Sequence, residues 1–337
     1  MAWRARGALA RALTPLAVLF GALAAARRAA YALGWRVPQT LAVPVIVVGN
    51  LVVGGAGKTP TVIAVVAALR RRGHVPGIVS RGYGRRDQAV MAVRPDANPA
   101  DCGDEPLLLA RRTGSPVVVG ADRVAAVREL LRRHPDVDVI VSDDGLQHLA
   151  LARQVQVLVF DERGAGNGWL LPAGPLREPL PATLPPRSLV VYNATRATTA
   201  LPGTVAQRTL DGVVLLRDWW AGLAPSPAAL QALRDRTVLA VAGVAQPQRF
   251  FDMLIRHGLQ IEPIPLADHY DYVTLPWPAG AADVVVTEKD AVKLDALRTG
   301  ATRVWVAPLD FTLGAAFEAA LLDLLPLPGS RHGNTTA

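Results

Sequence analysis

A glycine-rich turn that ends in Gly-Lys-Thr is the segment whose chemistry is clearest. It lies between the apolar run Pro44-Val45-Ile46-Val47-Val48 and a helical pattern over 59–72. Glycines allow backbone N–H groups to turn toward phosphate oxygens, and the helix start adds the positive end of its dipole. Lys58 would reach the β- and γ-phosphates, and the Thr59 hydroxyl would bind Mg²⁺. The predicted residues for ATP with Mg²⁺ are Gly54, Gly55, Ala56, Gly57, Lys58 and Thr59.

The loop and a later lysine motif exclude some nucleotide-binding classes. Val52 stands where the common G-x-x-x-x-G-K-[ST] pattern has its first glycine. Val53 stands where one class of dimeric ATPases carries an extra lysine, which argues against a partitioning ATPase of that class. Lys289 and Asp290 are adjacent, whereas the guanine-binding motif has one residue between its Lys and Asp, so a GTPase is disfavoured.

Two adjacent acids end another apolar run. Asp143 and Asp144 follow the run 139–142, which is where a Walker B aspartate lies at the carboxyl edge of a parallel sheet. One acid would bind Mg²⁺ and the other a water or Lys58, and the pattern does not decide which. The alternative is a turn or a helix cap, because Asp favours both. The predicted metal ligands are Thr59, Asp143, Asp144 and Glu105.

Two further residues are ambiguous from their local pattern alone. Asp104 precedes Glu105 and Pro106 at the start of an apolar helical stretch, which by itself indicates a helix N-cap. That interpretation weakens once the neighbouring motifs are considered. His269 follows a predicted strand, and a lone histidine is more often structural than functional. The chain's histidines show no metal-ligand spacing such as H-E-x-x-H.

Apolar runs and helical patterns alternate along most of the chain, which predicts an α/β fold with a parallel sheet covered on both faces. The predicted strands lie at 44–48, 75–79, 116–119, 138–142, 155–160, 189–192, 237–242, 260–265, 283–287 and 303–306. The predicted helices lie at 59–72, 105–112, 121–134, 246–257, 288–298 and 311–325, and 163–187 is predicted to be a loop. We expect a phosphate-loop domain at 37–205, a smaller α/β domain at 206–326 and a tail at 327–337.

The positive charge is concentrated at the N-terminus. The 337 residues include 36 Lys+Arg and 28 Asp+Glu, a formal net charge of +8, and residues 1–36 contain six arginines and no acid. The rest of the chain therefore lacks the excess charge expected of a nucleic-acid-binding domain. The single cysteine, Cys102, excludes a disulfide scaffold and a multi-Cys zinc site.

The N-terminal segment predicts a helix for which three interpretations compete. Residues 8–26 are apolar apart from interruptions such as Arg11, with Leu9, Leu16 and Leu23 at helical spacing. A basic start before a short apolar run also suits a signal peptide, and a buried core helix is a second alternative. We favour a helix within 1–36 that lies in the membrane surface, with flanking arginines at the head groups. No stretch of 18 or more residues is both apolar and uncharged, which makes a spanning helix doubtful.

The motifs taken together resemble the tetraacyldisaccharide 4'-kinases, the lipid A kinases of Gram-negative bacteria. The matching segments cover about residues 4–325. In chain order they are Val48-Gly49-Asn50 with Gly54-Gly55-Ala56-Gly57-Lys58-Thr59-Pro60, Ser80-Arg81-Gly82-Tyr83-Gly84, Gly103-Asp104-Glu105-Pro106, Val119-Gly120 with Asp122-Arg123, Ser142-Asp143-Asp144-Gly145-Leu146-Gln147-His148, Pro172-Ala173-Gly174-Pro175-Leu176-Arg177-Glu178, Asp268-His269 and Thr287-Glu288-Lys289-Asp290-Ala291-Val292-Lys293. This family also lacks the first Walker glycine. Tyr270 is a departure, since many members are expected to carry a second histidine there.

The resemblance implies a lipid kinase that transfers the γ-phosphoryl of ATP to the 4'-hydroxyl of a tetraacylated glucosamine disaccharide 1-phosphate. It implies that Asp104 accepts the hydroxyl proton, that His269 orients Asp104, and that Lys58 neutralises the transferred group. The substrate-binding candidates are Arg81, Arg123 and Arg177. It also implies an N-terminal helix docked on the cytoplasmic face of the inner membrane, as a peripheral or monotopic protein.

A second function class remains as the alternative. A phosphate-loop switch or metallochaperone acting through a protein partner would favour GTP and carry Cys/His metal clusters. The lone cysteine and the absence of a K-x-D motif speak against it. For the kinase, the predicted partners are the acylated disaccharide lipid and the membrane surface, with no nucleic acid and no protein partner required.

Overall fold

The structure, a computed structural model, describes Trp3 and residues 5–327. Apart from Leu327, the predicted tail at 327–337 lies outside the described residues. The strands are β1 (Val45–Gly49), β2 (Pro76–Ser80), β3 (Met91–Val93), β4 (Val117–Val119), β5 (Val139–Asp143), β6 (Val155–Asp161), β7 (Ser188–Asn193), β8 (Thr204–Val205), β9 (Gln207–Thr209), β10 (Val214–Leu215), β11 (Thr237–Ala242), β12 (Gln260–Pro265), β13 (Asp283–Thr287), β14 (Arg303–Ala307) and β15 (Asp310–Thr312). The helices are α1 (Ala8–Ala12), α2 (Thr14–Ala32), α3 (Lys58–Arg71), α4 (Pro99–Cys102), α5 (Asp104–Thr113), α6 (Arg123–Arg133), α7 (Leu216–Trp220), α8 (Pro227–Ala232), α9 (Pro247–Arg256), α10 (Glu288–Ala291) and α11 (Gly314–Asp323).

A large sheet carries the predicted phosphate loop. It has eight strands in the order β3-β4-β2-β5-β1-β6-β7-β8, and all neighbours are parallel except β3 with β4. Its central strands β1, β2 and β5 are buried along their whole length, as expected for apolar strands with helices on both faces. Val48 of β1 pairs with Asp143 of β5. The phosphate loop and the two acids therefore leave the sheet at the same edge.

A smaller sheet follows, with five strands in the order β10-β14-β13-β11-β12, parallel except for β10 with β14. Strands β9 and β15 form a separate antiparallel pair. Pro263 and Pro265 lie on β12, an edge strand, where a missing N–H interrupts no further ladder. The predicted α/β class, a parallel-sheet unit with a phosphate loop and a smaller α/β unit, is confirmed.

Two predicted helices differ from the structure. The helix predicted at 288–298 is wrong, because α10 ends at Ala291 and a separate 3₁₀ turn occupies Ala296–Arg298. Side chains cap these short segments locally: Thr287 accepts a hydrogen bond from the Asp290 N–H, and Asp295 accepts one from the Leu297 N–H. Such local bonds compete with a continuous helix. The helix predicted at 311–325 starts only at Gly314, because residues 310–312 pair with β9 as β15.

The end of the described chain returns to the large sheet. Helix α11 packs against α3 and β7. An ion pair of 2.5 Å joins Arg71 of α3 to Glu318 of α11, and Arg187 donates a 2.5 Å hydrogen bond to the Leu324 carbonyl. These contacts join the two predicted domains through residues near the end of the described chain. The division at 205/206 stays a prediction.

The N-terminal helices lie against the long loop between β6 and β7. Arg6 donates to the Asn167 carbonyl at 3.1 Å, and Trp3 donates to the Pro172 carbonyl at 3.0 Å. Gly21 permits close packing of α2, because a Cβ there would stand 2.7 Å from the Leu170 side chain. Apolar side chains of this segment remain exposed, among them Leu9, Leu16, Val18, Leu19 and Leu23. Within the described residues, no helix combines the length and apolar character needed to cross a membrane.

The second sheet is joined to the first along α5. The Arg111 guanidinium lies 4.6 and 4.2 Å from the ring centroids of Trp219 and Trp220 and donates to both carbonyl oxygens, at 2.9 and 2.8 Å. Arg112 pairs with the buried Glu288, which also accepts a bond from the Trp219 indole. Burial raises the pKa of Glu288 although the Arg112 charge opposes the rise. We call these five residues the α5 seam.

Candidate active site between the two sheets

The phosphate loop is held open by its own side chains and glycines. Asn50 donates to the Gly54 carbonyl at 3.0 Å and also to the Val52 carbonyl. Gly57 has φ +96°, a left-handed conformation that favours glycine, and it is the N-cap of α3. No side chain caps the first turn of α3 among the described residues. Its N–H groups are therefore available to an anion, as at other helix starts that bind phosphate.

The Lys58 side chain lies against the phosphate loop and is largely shielded from solvent. Its Nζ lies 3.5 Å from Asn50 Oδ1 and 3.8 Å from Asp144 Oδ1, and only 11% of its side chain is exposed. The neighbouring Thr59 is half-buried in the same first turn of α3. The ammonium is thus placed between the loop and the acids after β5, where a phosphate chain resting on the loop would end.

The two acids after β5 have different surroundings. Asp143 is buried, and its Oδ2 accepts a 2.9 Å hydrogen bond from the Ser80 hydroxyl. Burial raises the pKa of Asp143 to about 7; the charges of Glu105 and Asp144 add to this, and Lys58 opposes it. Asp144 is half-buried, has φ 49° and pairs with Lys58 and with Arg177. The sequence left their roles open, and the structure makes Asp144 the residue that contacts Lys58.

The carboxylate of Asp143 has one oxygen that suits a cation. Its Oδ1 is buried and has no hydrogen-bond partner within the described chain, which is unfavourable for an ionised carboxylate unless a cation approaches. Among the described residues no three or more His, Cys, Asp or Glu side chains form a metal cluster. The unpartnered Asp143 oxygen by itself suits Mg²⁺, which commonly uses one or two carboxylates together with phosphate oxygens and water.

Asp104 and His269 come together from opposite sides of the cleft. Asp104 is the first residue of α5, after the N-cap Gly103, and its Oδ2 accepts a 2.9 Å bond from His269 Nδ1. Its other oxygen accepts from the Glu105 N–H at 2.8 Å. Burial would raise the pKa of Asp104, but the His269 bond and the Lys289 charge lower it further, so the net shift is downward. The same bond raises the pKa of His269.

Lys289 is a residue of this cluster to which the sequence assigned no role. Its Nζ lies 3.1 Å from Glu105, 3.1 Å from Asp268 and 3.3 Å from His269 Nε2. Burial would lower its pKa, but the charges of Glu105, Asp104 and Asp268 raise it overall. The sequence feature that could have identified Lys289 is its position just after an apolar strand, within the motif at 287–293. Glu105, a predicted metal ligand, is paired with Lys289 in this structure.

The three arginines predicted to bind substrate lie in different environments. Arg177 is half-buried and bonds Asp144 at 3.3 Å and Gln147 at 3.2 Å. Arg123 is buried, donates to the Gly120 carbonyl at 2.6 Å, and has its pKa lowered by that burial. Arg81 is exposed and forms no ion pair with the described residues. The structure therefore places Arg177 directly on an acid of the site, and does not do so for Arg81.

A cavity of about 240 Å³ lies between the phosphate loop and the smaller sheet. Lys58, Thr59 and Glu105 line one part, and apolar side chains line another: Ile63, Leu108, Phe250, Met253 and Leu309. Arg208 also lines it; burial lowers the pKa of Arg208 to about 10, and its Nε has no partner among the described residues. Asn193 and Gln246 complete the polar wall. The sequence analysis did not select these last three residues, because each lacks a local motif.

A parallel sheet with a glycine-rich loop after a central strand, and acids after its neighbour, defines the nucleotide-binding phosphate-loop proteins. Within that class the sequence matches the family described as "Tetraacyldisaccharide-1-P 4'-kinase" over residues 9–326. The chain belongs to this family of kinases, as its motifs predicted.

Individual relatives agree with the family. The chain is 57% identical over 330 residues to a tetraacyldisaccharide 4'-kinase of Leptothrix cholodnii, covering 96% of this chain and 94% of that protein. It is 56% identical to one of Methylibium petroleiphilum, covering 98% and 94%. Among solved structures it is similar to LpxK from Aquifex aeolicus in complex with ATP, with a TM-score of 0.77, 26% identity, and 94% and 100% coverage.

Proposed function

We propose that this protein transfers the γ-phosphoryl group of ATP to the 4'-hydroxyl of a tetraacylated glucosamine disaccharide 1-phosphate. The observation that carries the proposal is that Glu105 and Lys289 line the cavity beside Lys58, and that Lys289 also contacts His269, the residue that bonds Asp104. A kinase needs both a grip on the phosphates and an acceptor for the hydroxyl proton. A nucleotide switch does not need an acceptor for a hydroxyl proton.

ATP would bind along this cavity. Its phosphates would rest on the N–H groups of the loop and on Lys58, and its base would lie on the apolar part of the cavity, near Phe250 and Met253. Mg²⁺ would neutralise charge on the phosphates, held by Thr59 and by the unpartnered oxygen of Asp143, with Asp144 beside them. Glu105 would join this set only after separating from Lys289.

Asp104 would accept the proton of the attacking hydroxyl. Its lowered pKa keeps it ionised at neutral pH, and the bond from His269 Nδ1 fixes one oxygen in place. His269 would act as a positioning residue, itself held by Lys289 on its other ring nitrogen. A carboxylate held in a fixed orientation can accept the proton of a sugar hydroxyl while the phosphoryl group is transferred.

Arginines near the acids would bind the phosphorylated end of the lipid. Arg177 is the strongest candidate because its guanidinium is half-exposed beside Asp144. Arg81 is exposed and free to reach an anion. Arg123 is buried, so it would act on the site by its charge near Asp143 and Asp144.

The N-terminal helices would hold the protein on the membrane surface where its lipid substrate resides. Leu16, Leu19 and Leu23 are exposed on α2, and the arginine-rich segment has no acid to repel anionic lipids. We place this surface on the cytoplasmic face of the inner membrane, where ATP is available, and the reaction requires no protein partner.

The decisive experiment supplies the purified protein with γ-labelled ATP, Mg²⁺ and the disaccharide lipid. We expect label on the lipid at the 4'-position, and no label when the lipid already carries a 4'-phosphate. Hydrolysis of ATP with no labelled lipid would contradict the proposed reaction. Replacing ATP with GTP tests the switch alternative, which predicts a preference for GTP.

Membrane docking is tested by placing negative charges on the exposed apolar face of α2. The triple variant Leu16→Glu, Leu19→Glu and Leu23→Glu should stay in solution when mixed with anionic phospholipid vesicles, whereas the unchanged protein sediments with them. The control is Leu297→Glu, whose side chain is 93% exposed on the smaller domain. Equal sedimentation of the triple variant and the control would remove α2 from the docking surface.

A further inference from the structure

Arg163 lies on the outside of the phosphate loop. Its Nη1 donates to the Val53 carbonyl at 3.1 Å, and its Nη2 approaches the Gly55 carbonyl at 3.5 Å. A Cβ at the intervening Gly54 would stand 3.1 Å from Nη1, so the guanidinium rests directly on this turn. Lys58 is the other cation of the loop, and the segment from Val48 to Pro60 contains no arginine of its own.

Asp161 fixes the position of Arg163. This residue ends β6, is only 1% exposed, and accepts bonds from the Arg163 Nε at 3.1 and 2.9 Å and from the Arg163 N–H at 2.9 Å. A guanidinium held by a buried carboxylate loses little further freedom when it binds two carbonyls. Carbonyls held outward leave the N–H groups of the same turn facing inward, toward the phosphate position.

The same carboxylate is bonded from the smaller domain. Gln246 donates from its side chain to Asp161 Oδ2 at 2.5 Å, and it is the N-cap residue of α9. Its neighbour Ala245 touches the loop, since a Cβ at Gly55 would lie 2.9 Å from the Ala245 Cβ. Asp161 therefore joins Arg163 on the loop to Gln246 across the cleft. We call these three residues the loop bridge.

We propose that Arg163 is a positioning residue that sets the conformation of the phosphate loop and, through the loop bridge, couples ATP binding to the placement of the smaller domain. This inference rests on the proposed ATP site. It assigns Arg163 no contact with the reacting atoms. Its effect is to keep the loop N–H groups pointing at the triphosphate when α9 and the Gln246 side chain are in the position described here.

The test is a double-mutant cycle on Arg163 and Gln246 with ATP affinity as its readout. Arg163→Ala removes a charge-assisted contact to the loop and should weaken ATP binding about 10- to 100-fold. Arg163→Lys should recover only part of this, because an ammonium cannot bond two carbonyls and Asp161 in one plane. The matched control is Arg196→Ala, an exposed arginine that has no hydrogen bond or ion pair with other described residues.

Coupling predicts that the losses do not multiply. The variant Arg163→Ala with Gln246→Ala should bind ATP about as weakly as Arg163→Ala alone, because either change breaks the bridge. Losses that multiply, or an Arg163→Ala protein that binds ATP like the Arg196→Ala control, would overturn the proposal. A purely structural role would lower the melting temperature and leave the ATP affinity of the folded protein unchanged.

Kinetic measurements with the lipid distinguish the role proposed for Arg163 from the proposed kinase function. The KM for the disaccharide lipid should be unchanged in Arg163→Ala while the KM for ATP rises. ATP affinity is measured without lipid, by equilibrium binding or by the rise in melting temperature with ATP. An unmodified protein that binds ATP but phosphorylates no lipid would end the proposed function, and the cycle would still decide the role of Arg163.

Discussion

The two sheets meet in two regions of very different construction. In the α5 seam, Arg111 lies beside two tryptophan rings and bonds both of their carbonyls, while Arg112 pairs with the buried Glu288. On the nucleotide side, the sheets are separated by a cavity of about 240 Å³ and joined by the loop bridge and by Lys289. The first region is packed and the second is open to a ligand.

This difference indicates how the protein would respond to its substrates. A packed seam with charge-assisted bonds resists rearrangement, whereas polar bridges across a cavity exchange partners at lower free energy when a ligand supplies new ones. Helix α5 begins with Asp104 and Glu105 and carries Arg111 about two turns later. The packed region and the reactive region therefore share one helix. We expect mutations in the seam to change stability and mutations in the cavity to change turnover.

The largest effect should come from the reactive side. Asp104→Asn keeps the shape and removes the charge that accepts the proton, so kcat should fall by about 10²- to 10⁴-fold. The melting temperature and the ATP affinity should change little. Kinetics with saturating ATP and lipid, beside a thermal melt, measure both. A variant with full turnover would exclude Asp104 as the base.

Arg111→Ala should give the opposite result. It removes three hydrogen bonds from a cation, to the carbonyls of Pro95, Trp219 and Trp220, and the contact with both tryptophan rings. We expect this to lower the free energy of unfolding by about 2–4 kcal/mol. The KM for ATP should be unchanged at a temperature where the variant is folded. Arg217→Ala, whose side chain is 76% exposed, is the control. Loss of ATP affinity without loss of stability would contradict the comparison of the two regions.

Lys289→Met sharpens the comparison because it removes a positive charge close to Asp104. The Lys289 charge lowers the pKa of Asp104, so its removal should raise that pKa, and an acid must be deprotonated to accept a proton. The acid limb of the kcat/KM profile should therefore move to higher pH. An unmoved limb with a uniformly lower rate would assign Lys289 to substrate binding instead.

The smallest expected effect concerns Asp143. Its pKa is raised from 3.8 to about 7 in the folded, metal-free protein, so the folded chain keeps a proton that the unfolded chain releases between these values. Stability should therefore decrease as the pH rises from about 4 to 7, and Asp143→Asn should flatten this slope by about 1 kcal/mol per pH unit. Chemical denaturation at several pH values, with a chelator present, measures this pH dependence of stability. Adding Mg²⁺ with ATP should reverse the slope in the unchanged protein.

Local features of the chain were predictable because short-range chemistry determines them. The apolar β-branched run before the loop predicts β1, the loop's glycines and Lys58 predict a phosphate site, and acids after an apolar run predict the edge at Asp143. The break after α10 was missed, because side-chain bonds from Thr287 and Asp295 override a helical pattern that continues through 288–298.

The amino-acid sequence by itself determined the α/β class, the phosphate loop and, through the resemblance of its motifs, the kinase family. The resemblance also implied that His269 orients Asp104, and the structure supplies the bond between them. Only the tertiary structure decided other long-range contacts, such as Lys289 with Glu105 and Arg163 with the Val53 carbonyl. The physical reason is that strand and loop patterns repeat over a few residues, whereas these contacts depend on how two sheets pack across a cleft. No spacing along the chain encodes that packing.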